Sequence, residues 1–218
     1  MIVRVIAFCL ATAIAGCGPW RPEEPPQTTP DGLELISNVN FKQVYLRPDH
    51  DFSVYDSIFI SQPEIEFERG WQASQNIADP RRVTNRDIER IKRIMSTEIQ
   101  NIVTEELVTG TDYKVTENPV AGSLTLKPQI VDLYITAPNA AEPYQVTVLS
   151  QSAGKMTIVL EISDTSTKEP LLRITDKAYA RDFPDFRQQE SVNNRNEGSL
   201  ALRAWAESLA SLLNETRS

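Results

Sequence analysis

A chain of 218 residues and 24.5 kDa has room for one domain with a full core, and 40% hydrophobic with 24% charged residues is a globular composition. Lys+Arg 22 against Asp+Glu 30 leaves a net charge of -8, which argues against any general attraction to nucleic acid phosphates. One histidine, His50, and two cysteines, Cys9 and Cys17, leave few residues for the commonest nucleophile, base and transition-metal sites, so a non-enzyme with no bound cofactor or metal is expected.

Residues 1–16, MIVRVIAFCLATAIAG, carry one basic residue, Arg4, then an apolar run from Val5 to Ile14, then small residues. That is the pattern of a secretory signal peptide, and the run is shorter than the roughly 20 residues a membrane-spanning helix needs. Ile14-Ala15-Gly16-Cys17 resembles the lipobox of bacterial lipoproteins, a branched residue and two small ones before a cysteine. The resemblance implies cleavage between Gly16 and Cys17, a diacylglycerol on the Cys17 thiol and an acyl chain on its amine. At about 0.8 kcal/mol per buried methylene, two or three chains make a lasting membrane anchor. Cys9 leaves with the signal peptide, so the mature chain has no pair of thiols to form a disulfide. Gly18, rather than aspartate, follows the cysteine, and by the same resemblance the protein is expected on the outer membrane, facing the periplasm.

Residues 17–32 hold the anchored cysteine and Pro19, Pro22, Pro25, Pro26 and Pro30, a proline-rich composition that predicts an extended tether. The remainder, 33–218, is expected to be a single periplasmic domain. FSVYDSIFI, from Phe52 to Ile60, places Val54, Ile58 and Ile60 in period two and predicts the first core strand. Ile88, Ile91, Met95, Ile99, Ile102 and Val103 recur by threes and fours and predict a helix over 84–108, with Thr84 and Asp87 as a capping pair and Gly110 as its stop. Tyr113 to Val115 is a short strand. Leu124 to Thr136 is a long one whose apolar phase shifts midway, predicting a bulge near Pro128. Met156, Ile158, Leu160 and Ile162 alternate within a strand over 155–163, and the turn DTSTKEP leads to a partner strand over 171–181. Leu202, Trp205, Ala206, Leu209, Leu212 and Leu213 form the stripe of a closing helix over 199–214. The order β-α-β-β-β-β-α predicts an α+β domain: a mostly antiparallel sheet of four to five strands with two helices packed on one face. Residues 62–83, 137–154 and 182–198 show no clear period and read as long loops, where partner contacts concentrate.

The element order, together with Tyr45-Leu46-Arg47-Pro48, Tyr55-Asp56-Ser57-Ile58, Leu124-Thr125-Leu126 and Leu160-Glu161-Ile162-Ser163-Asp164, resembles the DUF3313 family of bacterial lipoproteins over residues 31–218. The resemblance implies a periplasmic lipoprotein domain with no assigned activity and brings no functional residue. The chain departs from the pattern at Thr165 to Glu169, where the hairpin turn has no glycine.

Asp49-His50-Asp51 is the one histidine among carboxylates. Sequence neighbours on extended chain point to opposite sides, so a surface turn is the better reading than a metal or acid-base site. Arg86, Arg90 and Arg93 share one helical face that could meet anionic groups, although interleaved Asp87 and Glu89 favour a solvated face. Phe67, Trp71 and Tyr144 lie in unpatterned stretches and are candidate partner contacts, since aromatics anchor interfaces. Phosphate-loop glycine patterns, CxxC and HExxH are absent. The preferred reading is a lipid-anchored, non-enzymatic interaction or accessory domain whose partner is an envelope protein or cell-wall component. The alternative is a carrier or chaperone of a lipid or other apolar ligand, with its cavity between sheet and helices.

Overall fold

The computed structural model describes residues 24–37, 40–78, 82–135, 153–179 and 197–217. The expected signal peptide, Gly16, Cys17 and Tyr144 lie outside these residues. In chain order the elements are β1 (Glu34–Ile36), β2 (Gln43–Leu46), a 3-10 turn (Phe52–Val54), β3 (Ser57–Ile60), β4 (Glu64–Phe67), α1 (Trp71–Ala78), α2 (Asn85–Gly110), β5 (Lys114–Thr116), β6 (Leu124–Ile135), β7 (Ala153–Asp164), β8 (Pro170–Tyr179) and α3 (Glu197–Arg217).

The class is α+β, as expected, but the sheet is larger than expected and mixed. Eight strands run in the order β1-β2-β8-β7-β6-β3-β5, with β4 also paired to β6. The pairs β1/β2, β2/β8, β6/β7 and β7/β8 are antiparallel. The pairs β3/β5, β3/β6 and β4/β6 are parallel. The parallel part follows from the crossover: β3 and β4 reach β5 and β6 only through α1 and α2, and a helical crossover returns the chain in its original direction. Strands β1, β2 and β4 escaped prediction because at three to four residues they are too short to establish a period. The stretch 62–83, read as loop, contains β4 and α1. The predicted strand over 52–60 is strand only from Ser57; before it, Asp51 accepts the Ser53 amide (2.9 Å) and winds Phe52–Val54 into the 3-10 turn.

One face of the sheet is apolar. Register aligns Leu126 with Ile162 and Ile162 with Leu172, while Ile130 faces Ile158, and all five are buried. Helices α2 and α3 cover this face with Ile91, Met95, Ile99, Leu209 and Leu213, in one continuous core. The capping pair forms: the Thr84 hydroxyl accepts the Asp87 amide, and Asp87 accepts the Thr84 amide. At the far end of α2, a Cβ on Gly110 would stand 3.0 Å from the Ala210 Cβ, so the missing side chain lets the two helices close on each other.

Strand β6 carries β3 along its first half and β4 along its second, on the same edge. The Leu126 carbonyl points to that edge and accepts the Ser61 amide, so by period two the Pro128 nitrogen points there too, into the gap between β3 and β4 where no amide is needed. The bulge is therefore not at Pro128. It lies between Val131 and Tyr134, where Asp132 takes a left-handed conformation (φ 53). Across the gap, Ser96 and Gln100 of α2 donate to the carbonyls of Pro63 (2.8 Å) and Ile60 (3.3 Å).

The β7–β8 turn lacks glycine, and Lys168 takes the left-handed position (φ 63). Asp164 holds the turn by accepting the amides of Ser166 and Thr167, both at 2.7 Å. Removing the Cβ from a left-handed position relieves more strain than it adds chain entropy, so Lys168→Gly is expected to raise stability by about 0.5–1 kcal/mol, an increase in Tm of about 1–4 °C in thermal unfolding.

Candidate functional site

Two surface features gather polar and aromatic side chains with a shared geometry. The first is an open groove of about 550 Å³ where β4, α1 and α2 meet, lined by Phe67, Gly70, Trp71, Ile88 and Lys92 and edged by Glu66 and Glu68. Phe67 and Trp71 stack with centroids 4.0 Å apart and planes at 23°. The indole nitrogen of Trp71 donates to the Ile135 carbonyl (2.7 Å), which ties the start of α1 to the end of β6. Of the two, Phe67 is half-buried whereas Trp71 is 2% exposed. Trp71 is thus the wall behind the groove rather than a contact residue, because folding already spends its face on Phe67 and its N–H on Ile135. The charged rim is cross-linked by Glu68 to Lys155 at 2.6 Å.

The arginine face does not join this groove. Ile88 and Lys92 point into it, and residues 86, 90 and 93 lie on the opposite side of α2 by the 100° helical step. Arg90 pairs with Asp87 (3.2 Å) one turn back, while Arg86 and Arg93 face solvent.

The second feature was not foreseen. Residues 24–32, expected as tether, fold back on the sheet as a strap. The Gln27 carbonyl accepts the Leu35 amide (2.8 Å), Thr28 bridges to Glu34, and Leu33 is fully buried. Arg47 Nη2 donates to the carbonyls of Asp31 (2.9 Å) and Pro170 (2.8 Å). Tyr45 Oη donates to the Pro26 carbonyl (3.1 Å). Arg173 places Nη2 2.7 Å from Asp31 Oδ2 and also 2.7 Å from Glu161 Oε2, a shared charge-assisted clasp. Gly32 turns the strap at φ 81, and a Cβ there would meet Arg47 Nη1 at 3.0 Å. Tyr45 and Arg47 belong to the YLRP run, whose visible task is thus to hold the strap. The only sequence cue was the run itself, because contacts between residue 31 and residue 173 have no periodic signature.

The acid-histidine turn packs against the residues that lead into β3. His50 packs edge-on to Phe52 and stacks on Tyr55. Tyr55 Oη donates to Asp164 Oδ2 (2.8 Å), and burial together with that carboxylate pushes its ionisation well above the ordinary tyrosine range. Among the described residues no group of three or more His, Cys, Asp or Glu could hold a metal ion. A further open cleft of about 540 Å³ lies at the adjoining ends of α2 and α3. There Asn214 caps the Gly110 carbonyl (2.8 Å) and Arg217 stacks on Tyr113 (4.8 Å).

Residues 37–209 match the family model described as "Protein of unknown function (DUF3313)". The chain belongs to the DUF3313 family. No curated protein matches this DUF3313 chain. Among solved structures it is similar to a PelC variant dodecamer from Paraburkholderia phytofirmans, at 12% identity and TM-score 0.41, over 78% of this chain and 95% of that one. It is also similar to a PelC dodecamer from the same organism, at 10% identity and TM-score 0.37, over 80% of this chain and 94% of that one.

The hydrogen bond from Arg173 is the leading cause that holds Asp31 down to about pKa 2 from its ordinary 3.8. A depressed folded-state value means that the clasp stabilises fully above the ordinary value and is lost as pH falls through the folded one. Asp31→Asn is therefore expected to cost about 1–2 kcal/mol near neutral pH. The gap between variant and wild type should close as pH falls from about 4 to about 2 in denaturant titrations. A gap that does not change with pH would contradict the charged clasp.

Proposed function

We propose that this DUF3313 chain is a lipoprotein anchored through Cys17 in the outer membrane and facing the periplasm, where its domain serves as a non-enzymatic interaction or accessory module. The observation that carries the anchor is the run Ile14-Ala15-Gly16-Cys17 at the end of a signal-peptide pattern. The accessory role is supported by the open groove at β4, α1 and α2, with apolar Phe67 and Ile88 on its floor and opposite charges, Glu66 and Lys92, on its rim. Its partner is an envelope protein or cell-wall component. A carrier needs room between sheet and helices, and in the described residues that layer is occupied by Ile91, Met95 and Ile99 packed in one core with Ile58, Leu126 and Ile130, which favours the accessory reading.

Cys17→Ser removes the acyl acceptor. In fractionated cells the variant is expected to accumulate as unprocessed precursor or to leave the outer membrane for the soluble fraction, with the fold of the domain unchanged by circular dichroism. Retention as firm as wild type would assign anchoring to another part of the chain.

A further inference from the structure

We propose that residues 24–33 are a clasped strap that sets how far the domain reaches from its lipid anchor, with Tyr45, Arg47 and Arg173 as the clasp; this rests on the anchor reading above. The strap is tied at three places along its length: Pro26 to Tyr45, Asp31 to Arg47 and Arg173, and Leu33 into the core. Closed, it leaves only the seven peptide steps from Cys17 to Glu24, at most about 25 Å of chain. Open as far as Glu34, the same anchor has seventeen steps and a limit of about 60 Å.

The strap meets the domain at the edge of the sheet far from the groove. The strap pairs with β1, the outermost strand at one edge of the sheet. The groove is beside β4 on the far side of β6, and from β1 through β2, β8, β7 and β6 to β4 is five inter-strand spacings, about 24 Å. Closed or open, the chain enters the domain at the β1 edge, so the clasp changes the length of the tether and leaves its point of attachment where it is. The side-chain bonds that close the strap come from Tyr45, Arg47 and Arg173, so replacing both arginines weakens it without substituting a residue of the main apolar core.

The test uses the full-length acylated protein in vesicles of phosphatidylethanolamine and phosphatidylglycerol doped with a fluorescent acceptor lipid. A donor dye is placed at Val120→Cys, an exposed position outside strap and groove. With the clasp weakened by Arg47→Gln and Arg173→Gln, energy transfer to the bilayer is expected to fall about twofold, and the same fall is expected when about nine Gly/Ser residues are inserted between Arg21 and Pro22 with the clasp intact. Hydrogen exchange gives a readout independent of the membrane. The amides of Leu33 and Leu35, bonded to Thr29 Oγ1 and the Gln27 carbonyl, should exchange at least about tenfold faster in the double variant, while β6 to β8 stay protected and report an intact fold. Unchanged transfer in the clasp variants beside a clear fall on insertion overturns the proposal, and so do amides that stay protected. Wild-type protein that does not stay on the vesicles fails the anchor reading itself and takes the reach proposal with it, whatever the exchange shows.

Discussion

Everything in this domain is arranged around one strand. β6 pairs along one edge with β7 over nearly its whole length, and along the other it takes β3 and then β4 end to end. A strand used on both edges must satisfy both hydrogen-bond ladders and keep one face apolar throughout. Leu124, Leu126, Ile130, Leu133 and Ile135 meet the second demand, with the bulge at Asp132 restoring the inward phase after Ile130. Pro128 meets the first because its nitrogen points into the gap between β3 and β4. The groove lies at the other end of β4, where the chain turns through Gly70 into α1 and Phe67 and Trp71 stack at the corner.

The parts of the fold that could be read from the sequence are those with enough repeats of a period. The alternation Met156, Ile158, Leu160, Ile162 and the three-four spacing from Ile88 to Val103 each place buried residues on one face, and the helix start at Thr84 was legible because a capping box is a local device. The parallel pairings were not legible. Nothing local to β3 or β6 states direction, which is imposed by the crossover between them. The bulge shows in the sequence as a phase shift but its place does not, because whether a proline breaks a ladder depends on what lies opposite it.

For the candidate sites the same division holds. Phe67, an aromatic without a periodic role, lines a groove; Trp71, equally without one, is buried, because an indole can serve the core through a single hydrogen bond to a strand end. The arginines at 86, 90 and 93 share a face as the spacing requires, and that face points away from the groove. The strap is the largest departure. Proline content predicts an extended tether, yet the segment turns at residues 29–32 and docks, because the Pro26 and Asp31 carbonyls accept from Tyr45 and Arg47 and the Asp31 carboxylate accepts from Arg173.

The central functional claim is chemical and local to Cys17, so the most direct measurement is intact-mass and N-terminal peptide mass spectrometry of the protein purified from membranes of its own envelope type. The account predicts a mature chain whose first residue is Cys17, carrying a diacylglycerol on sulfur and an acyl chain on nitrogen. A chain that retains Met1, or one that begins elsewhere with a free Cys17 thiol, would contradict it.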